Sequence, residues 1–212
     1  MSPEIKQELD NKVIYLKNRI NAAIQEYALN KGLESVNDIS NFSQSKWYAV
    51  LIYIYHTAIE PNKELLKADI KYIKDVSNNI SKNPRYSNQV FGAYNIYVLD
   101  QLYDYYIYLC NENDKGITPY GYCLFTGVDN DTLASFEEGG VLLSIEQMAL
   151  YKKIYAAYEQ SAEAKLWTNK NPVAVMAITN RRFGWNMPGV GRDQRGRSAL
   201  GAAELPQLDQ KP

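Results

Sequence analysis

The sequence predicts an all-α protein: a multi-helix domain that contains a helix-turn-helix, with a second helix-turn-helix-like outline at the N-terminus. Three observations predict it. Apolar residues recur at steps of three and four along most of the 212 residues, the spacing that lines one face of a helix. Helix starts of the Ser-Pro, Thr-Pro and Asn-Pro type, and glycine stops, bound these stretches. No segment alternates strictly between apolar and polar residues, as a half-buried strand would.

The first helix starts at Ser2-Pro3-Glu4, a cap followed by proline and an acid. Ile5, Leu9, Val13, Leu16, Ile20, Ile24 and Tyr27 form its buried stripe, and Gly32 ends it. A short helix follows over Val36 to Asn41, then a turn at Phe42-Ser43 and a helix from about Ser45 to Ile59. Pro61 restarts the chain, with a helix through Glu64 to about Ser81. The run SKNPRYSNQ, Ser81 to Gln89, is a loop and a candidate boundary.

A long helix is expected from about Val90 to Asn113, with Val90, Tyr94, Tyr97, Val98, Leu102, Tyr105, Tyr106 and Leu109 at helical steps and Gly116 as its stop. Thr118 caps a short helix over Pro119 to Phe125. Gly127 permits a tight turn, and Asp129 or Asn130 caps a helix through Leu133 to Glu137 that Gly139-Gly140 ends. An amphipathic helix runs from Ser144 to about Trp167. Asn171 and Pro172 open the last helix, Val173 to Arg182, and Gly184 and Trp185 close it. Three regions result: an N-terminal helical region over 1–82, a region holding the helix-turn-helix and closing helices over 89–186, and a basic tail over 187–212.

Composition excludes several classes of function. The formal charge of −1 supplies no global attraction to nucleic acid or membrane, so any attraction must be local. The only cysteines, Cys110 and Cys123, make no CxxC pair, which argues for a reducing, cytoplasmic compartment. No apolar run reaches the ~18 residues of a spanning helix, so no membrane is expected. The single histidine, His56, sits in an apolar, tyrosine-rich run and reads as a core residue. There is no P-loop, no dinucleotide fingerprint and no GxSxG. No catalytic residue, metal site or cofactor is expected. The 18 tyrosines against 5 phenylalanines read as half-buried rings of a helical core, each with a polar tip.

Ile117 to Phe136 has the helix-turn-helix outline: two short helices joined by a glycine-containing turn. Leu124 and Phe125 would pack inside, and Val128, Leu133 and Phe136 would seat the second helix. In a DNA reader the start of that helix faces the bases, which nominates Asn130, Thr132 and Ser135, with Asp131 among them. The surroundings are acidic, and no Lys or Arg lies between Lys115 and Lys152. Val36 to Val50 has a weaker version of the outline, either a duplicated helix-turn-helix or an ordinary helical corner. There Ser43, Gln44 and Lys46 suit phosphate or base contact.

Five of the seven arginines lie between Asn169 and Arg197. Arg181 and Arg182 sit at the negative end of the last helix, where each is stabilising by about 0.3–1 kcal/mol. Arg192, Arg195 and Arg197 have no such role and are candidates for contact with phosphate or a protein partner.

The stretch NKNPVAVMAITNRRFGWN, with Asn-Pro, an apolar run, a basic pair and Phe-Gly-Trp, resembles the closing motif of the small terminase (DNA-packaging) subunits of tailed phages and prophages. ITPYGYCLFTGVDNDTL, Ile117 to Leu133, is similar to their helix-turn-helix pattern, in the same order and spacing. The resemblance covers roughly Tyr94 to Asn186. Ala174 stands where glycine is common. The resemblance implies a homo-oligomeric, non-enzymatic protein of the host-cell cytoplasm. Such a protein recognises the packaging site on double-stranded DNA and presents it to the large ATPase-nuclease subunit. Two other readings remain open from the residues: a helix-turn-helix regulator of a mobile element, and a helical interaction protein that binds no DNA.

Overall fold

A computed structural model describes residues 1–68, 94–138 and 144–168, together with Met176 and Asn180. The chain forms two compact units, Met1–Ser161 and Ala162–Pro212. The described part of the second unit is 162–168, with Met176 and Asn180 both helical. The described residues are all-α as expected. No strand occurs among them, and their β pairing is an isolated antiparallel bridge, Lys67 to Tyr94.

Helix α1, Pro3–Asn30, is 28 residues long, about 42 Å at 1.5 Å per residue. It buries Leu9, Val13, Leu16, Ile20, Ala23, Ile24 and Tyr27 along one stripe. Gly32 at φ +65° lets the chain turn back, and the Gly32 and Leu33 amides donate to the Leu29 and Ala28 carbonyls. Those bonds form a Schellman stop. Ser35 and Asp38 then make a reciprocal capping box on a 3-10 turn, Val36–Asn41.

Helix α2, Gln44–Ile54, is capped by Ser43 and buries Trp47, Val50, Leu51 and Ile54. It widens into a π turn, Tyr55–Ile59, and then tightens into a 3-10 segment, Glu60–Leu66, kinked at Asn62. Of the expected helix from Glu64 to Ser81, the described part is broken at Lys67, which is extended at φ −84°, ψ 144°. The Asn95 amide donates to the Leu66 carbonyl at 2.7 Å. That takes the acceptor a continuing helix would have used. Residues 69–93, and with them the expected boundary loop, lie outside the described residues.

Helix α3, Ile96–Glu112, starts later than the expected Val90. Asn95 is its cap, with Oδ1 accepting from the Val98 amide at 3.2 Å, and Tyr94 precedes it in the bridge to Lys67. Its end also differs from expectation. Asp114, not Gly116, takes the left-handed position at φ 53°, and the Asp114 and Lys115 amides donate to the Asn111 and Cys110 carbonyls. Asp tolerates this region better than most side chains.

Helix α4, Pro119–Thr126, is capped by the Thr118 hydroxyl, which accepts from the Gly121 amide at 2.9 Å. Gly127 at φ 72° ends it. After a three-residue turn comes α5, Asn130–Glu138. Helix α6, Ser144–Thr168, buries Leu150 and Ile154 and accepts the Tyr103 hydroxyl of α3 at its Ile154 carbonyl. Lys153 bridges Asp100 at 2.8 Å and Asp104 at 2.6 Å there.

The core forms where α2, α3 and α4 meet, around the fully buried Trp47, Tyr103, Tyr106, Tyr122 and Phe125. The Tyr103 and Tyr122 rings lie edge to face at 5.1 Å. Tyrosine outnumbers phenylalanine because its hydroxyl joins one element to another. Tyr97 donates to Asp10 at 2.5 Å and Tyr105 donates to Asn21, both from α3 to α1. Tyr53 donates to Glu26, Tyr122 to the Leu99 carbonyl, Tyr103 to the Ile154 carbonyl and Tyr151 to Glu137. Each ring buries apolar area while its hydroxyl finds a hydrogen-bond partner on a neighbouring element.

Candidate nucleic-acid interface

Helices α2 and α4 run side by side in the same direction, and this sets the position of both predicted corners. Gln44 meets Gly116, Tyr48 meets Thr118 and Tyr120, and Tyr55 lies on Gly127. The first corner therefore sits at the N-terminal ends of the pair. The second follows their C-terminal ends, about 12 Å away along an eight-residue helix.

At the first corner the predicted side chains are mostly committed. The Ser43 hydroxyl accepts from the Lys46 amide. The Gln44 side-chain amide donates to the Gly116 carbonyl at 3.2 Å, and its Oε1 accepts from the Gly116 amide at 2.9 Å. Lys46 is exposed, its ammonium 5.6 Å from the Phe42 ring centre. A second cation, Lys115, points inward. Its ammonium donates to the Ser40 and Phe42 carbonyls, each at 2.7 Å, and so closes the end of the 3-10 turn. Burial holds its pKa below the ordinary lysine value. Neither Gln44–Gly116 nor Lys115 was foreseen, because partners some 72 positions apart leave no local signal.

At the second corner the expected core residues are in place: Phe125, Val128, Leu133 and Phe136 are buried and Leu124 is half-buried. Asp129 is the cap, with Oδ2 accepting from the Asp131 and Thr132 amides at 3.0 and 3.4 Å. Asn130 and Ser135 are exposed and Thr132 is half-buried. The Ser135 hydroxyl donates to the Thr132 carbonyl, and Glu137 accepts from Tyr151. The exposed start of α5 thus carries Asp129, Asn130 and Asp131 and no cation.

The two predicted sets are not brought together. Arg192, Arg195 and Arg197 lie outside the described residues, as does the Asn-Pro to Phe-Gly-Trp motif apart from Met176 and Asn180, which are helical as expected.

His56 corrects the sequence reading. It is exposed rather than in the core, and its Nδ1 lies 2.7 Å from Glu60. Trp47, Val50, Leu51, Ile54 and Ala58 face inward, so Ile52 and His56 fall on the opposite side of the helix. Cys110 and Cys123 are buried and not joined in a disulfide, and burial pushes the Cys123 thiol up to about 11. A thiol so shifted is a poor nucleophile at neutral pH. Among the described residues, no helix is long and apolar enough to cross a membrane.

Neither a family model, a curated protein nor a solved structure matches this chain.

Proposed function

We propose that this chain is a non-enzymatic DNA-packaging adaptor of the small terminase type. In this reading it binds double-stranded DNA as a homo-oligomer and delivers it to a large ATPase-nuclease subunit. One observation carries the reading. The Thr118-capped α4, the left-handed Gly127, the three-residue turn and the Asp129-capped α5 stand in the order that the resemblance asks for. The charge pattern refines it. Asp129 and Asp131 at the start of α5 repel phosphate, so the DNA contacts fall to Lys46 and to Arg192, Arg195 and Arg197. Asn130, Thr132 and Ser135 lie beside those carboxylates and take no part in phosphate contact.

The test is DNA binding by the full chain at several salt concentrations, with solution mass measured alongside. The reading expects an affinity that falls steeply with salt and an oligomer larger than a dimer. Each phosphate contact removed, by Lys46→Ala or by Arg192→Ala, lowers the slope of log K against log salt by about 1. A dimer with sequence-specific affinity replaces this reading with the regulator. The acidic face of α5 favours one other reading, a helical interaction protein. A chain that oligomerises yet binds no DNA at low salt establishes that reading and overturns the first.

A further inference from the structure

We infer that Tyr55 is the latch that holds α5 in place, so that α5 releases as a unit when this one ring is removed. The inference does not depend on the proposed function. Helix α5 is lightly held: of its described side chains Leu133 and Phe136 are buried, and the others lie at or near the surface. It packs chiefly on α4, through the turn that starts at Gly127. Elements with few buried contacts open at free energies far below that of global unfolding.

Tyr151 of α6 holds the far end of α5 at Glu137, and the turn itself is braced from α2. The Tyr55 ring lies directly over the Gly127 α-carbon, so close that any side chain there would collide with it. Gly127 is also at φ 72°, so the position is restricted to glycine on two grounds. Tyr94 stands beside the pair. Burial raises its pKa first, and the nearby Tyr55 and Asp129 raise it further. Asp129 is the cap of α5, so this cluster reaches the first turn of the helix.

The brace is itself placed by an irregular segment. Tyr55 opens the π turn, where the Glu60 amide reaches back five residues to the Tyr55 carbonyl. The chain then passes directly into the 3-10 segment. A succession of α, π and 3-10 geometry within one run marks a hinge or a functional position more often than a plain core helix. The wide turn ends α2 with Tyr55 on Gly127 while Ala58 and Ile59 remain buried. The latch thus joins the end of α2 to the α4–α5 turn without entering the aromatic centre of the core.

Hydrogen exchange of the full chain tests this, comparing wild type with Tyr55→Phe, Tyr55→Leu and Gly127→Ala. In Tyr55→Leu and Gly127→Ala, amides of Leu133 to Glu137 are expected to exchange at least about tenfold faster, equivalent to ~1.4 kcal/mol of docking, through an opening that depends less on urea than that of α1 and α3. Tyr55→Phe keeps the ring and behaves as wild type. The latch is overturned if α5 exchange is unaltered in Tyr55→Leu and Gly127→Ala. It is equally overturned if the α5 amides exchange with the urea dependence of α1 and α3, because α5 would then open only with the whole molecule.

Discussion

Gly32 and Gly127 share a left-handed backbone, at φ +65° and +72°, but their surroundings differ. An added methyl group meets open space at Gly32 and the Tyr55 ring at Gly127. Gly32→Ala is therefore expected to cost the conformational penalty alone, about 1–2 kcal/mol. Gly127→Ala carries that penalty plus the displacement of a ring, and is expected to cost about 2–4 kcal/mol. Urea unfolding of the two variants checks the order, and equal losses would contradict it. Asp114 makes the complementary point. It ends α3 with the same hydrogen bonds that a glycine supports, although the sequence directs attention to Gly116 two residues later.

Among the elements, the corner between the 3-10 turn and α2 depends on a residue from elsewhere in the chain. The Lys115 ammonium serves two carbonyls that have no other described donor, and Gln44 pairs both ways with Gly116. Lys115→Met keeps the length of the side chain and removes the donors. It is expected to lower stability by about 1–3 kcal/mol, the loss of two hydrogen bonds from a charged donor, as read from the urea midpoint at unchanged slope. Loss of helix boundaries elsewhere would not follow. The positions of α1, α4, α5 and α6 were legible because caps, prolines and a stripe spacing act within a few residues. The fate of residues 60–68 was not. The last carbonyl of its 3-10 segment, at Leu66, is taken by the Asn95 amide just before the extended Lys67, a contact that no local pattern encodes. The same holds for Ser43 and Gln44 as candidate contacts. Their residue types suit DNA, but their polar atoms are engaged within the fold.

For the molecule as a whole, the tyrosines set the response to alkali. Tyr97 is raised to about 12, first by its hydrogen bond to Asp10 and then by burial. Tyr103, Tyr106 and Tyr122 are raised by burial above the usual phenol range. A folded-state pKa above the unfolded value means that the folded state favours the neutral phenol. That stabilisation is complete below pH about 10 and is lost as pH climbs from there towards the folded values. Stability is therefore expected to be insensitive to these groups at neutral pH and to fall steeply above pH about 10. The tyrosinate absorbance contributed by the buried phenols and the helical circular dichroism, followed together, should change in one cooperative step. Ionisation of most tyrosines with the helices intact would contradict the buried arrangement.

The sequence by itself determined the helical class, the glycine stop of α1, the cap and stop of α4, the cap of α5 and the inward stripe of α1. These are set by backbone preferences and by a 3.6-residue period, both of which operate over a turn or two. Tertiary structure alone decided that Lys115 points inward, that His56 points outward, that Gln44 is bound to Gly116, and that Tyr55 rests on Gly127. Each is a contact between segments brought together by burial of the aromatic core. Its geometry depends on how α2, α3 and α4 pack, and nothing within a local window of the chain carries that information.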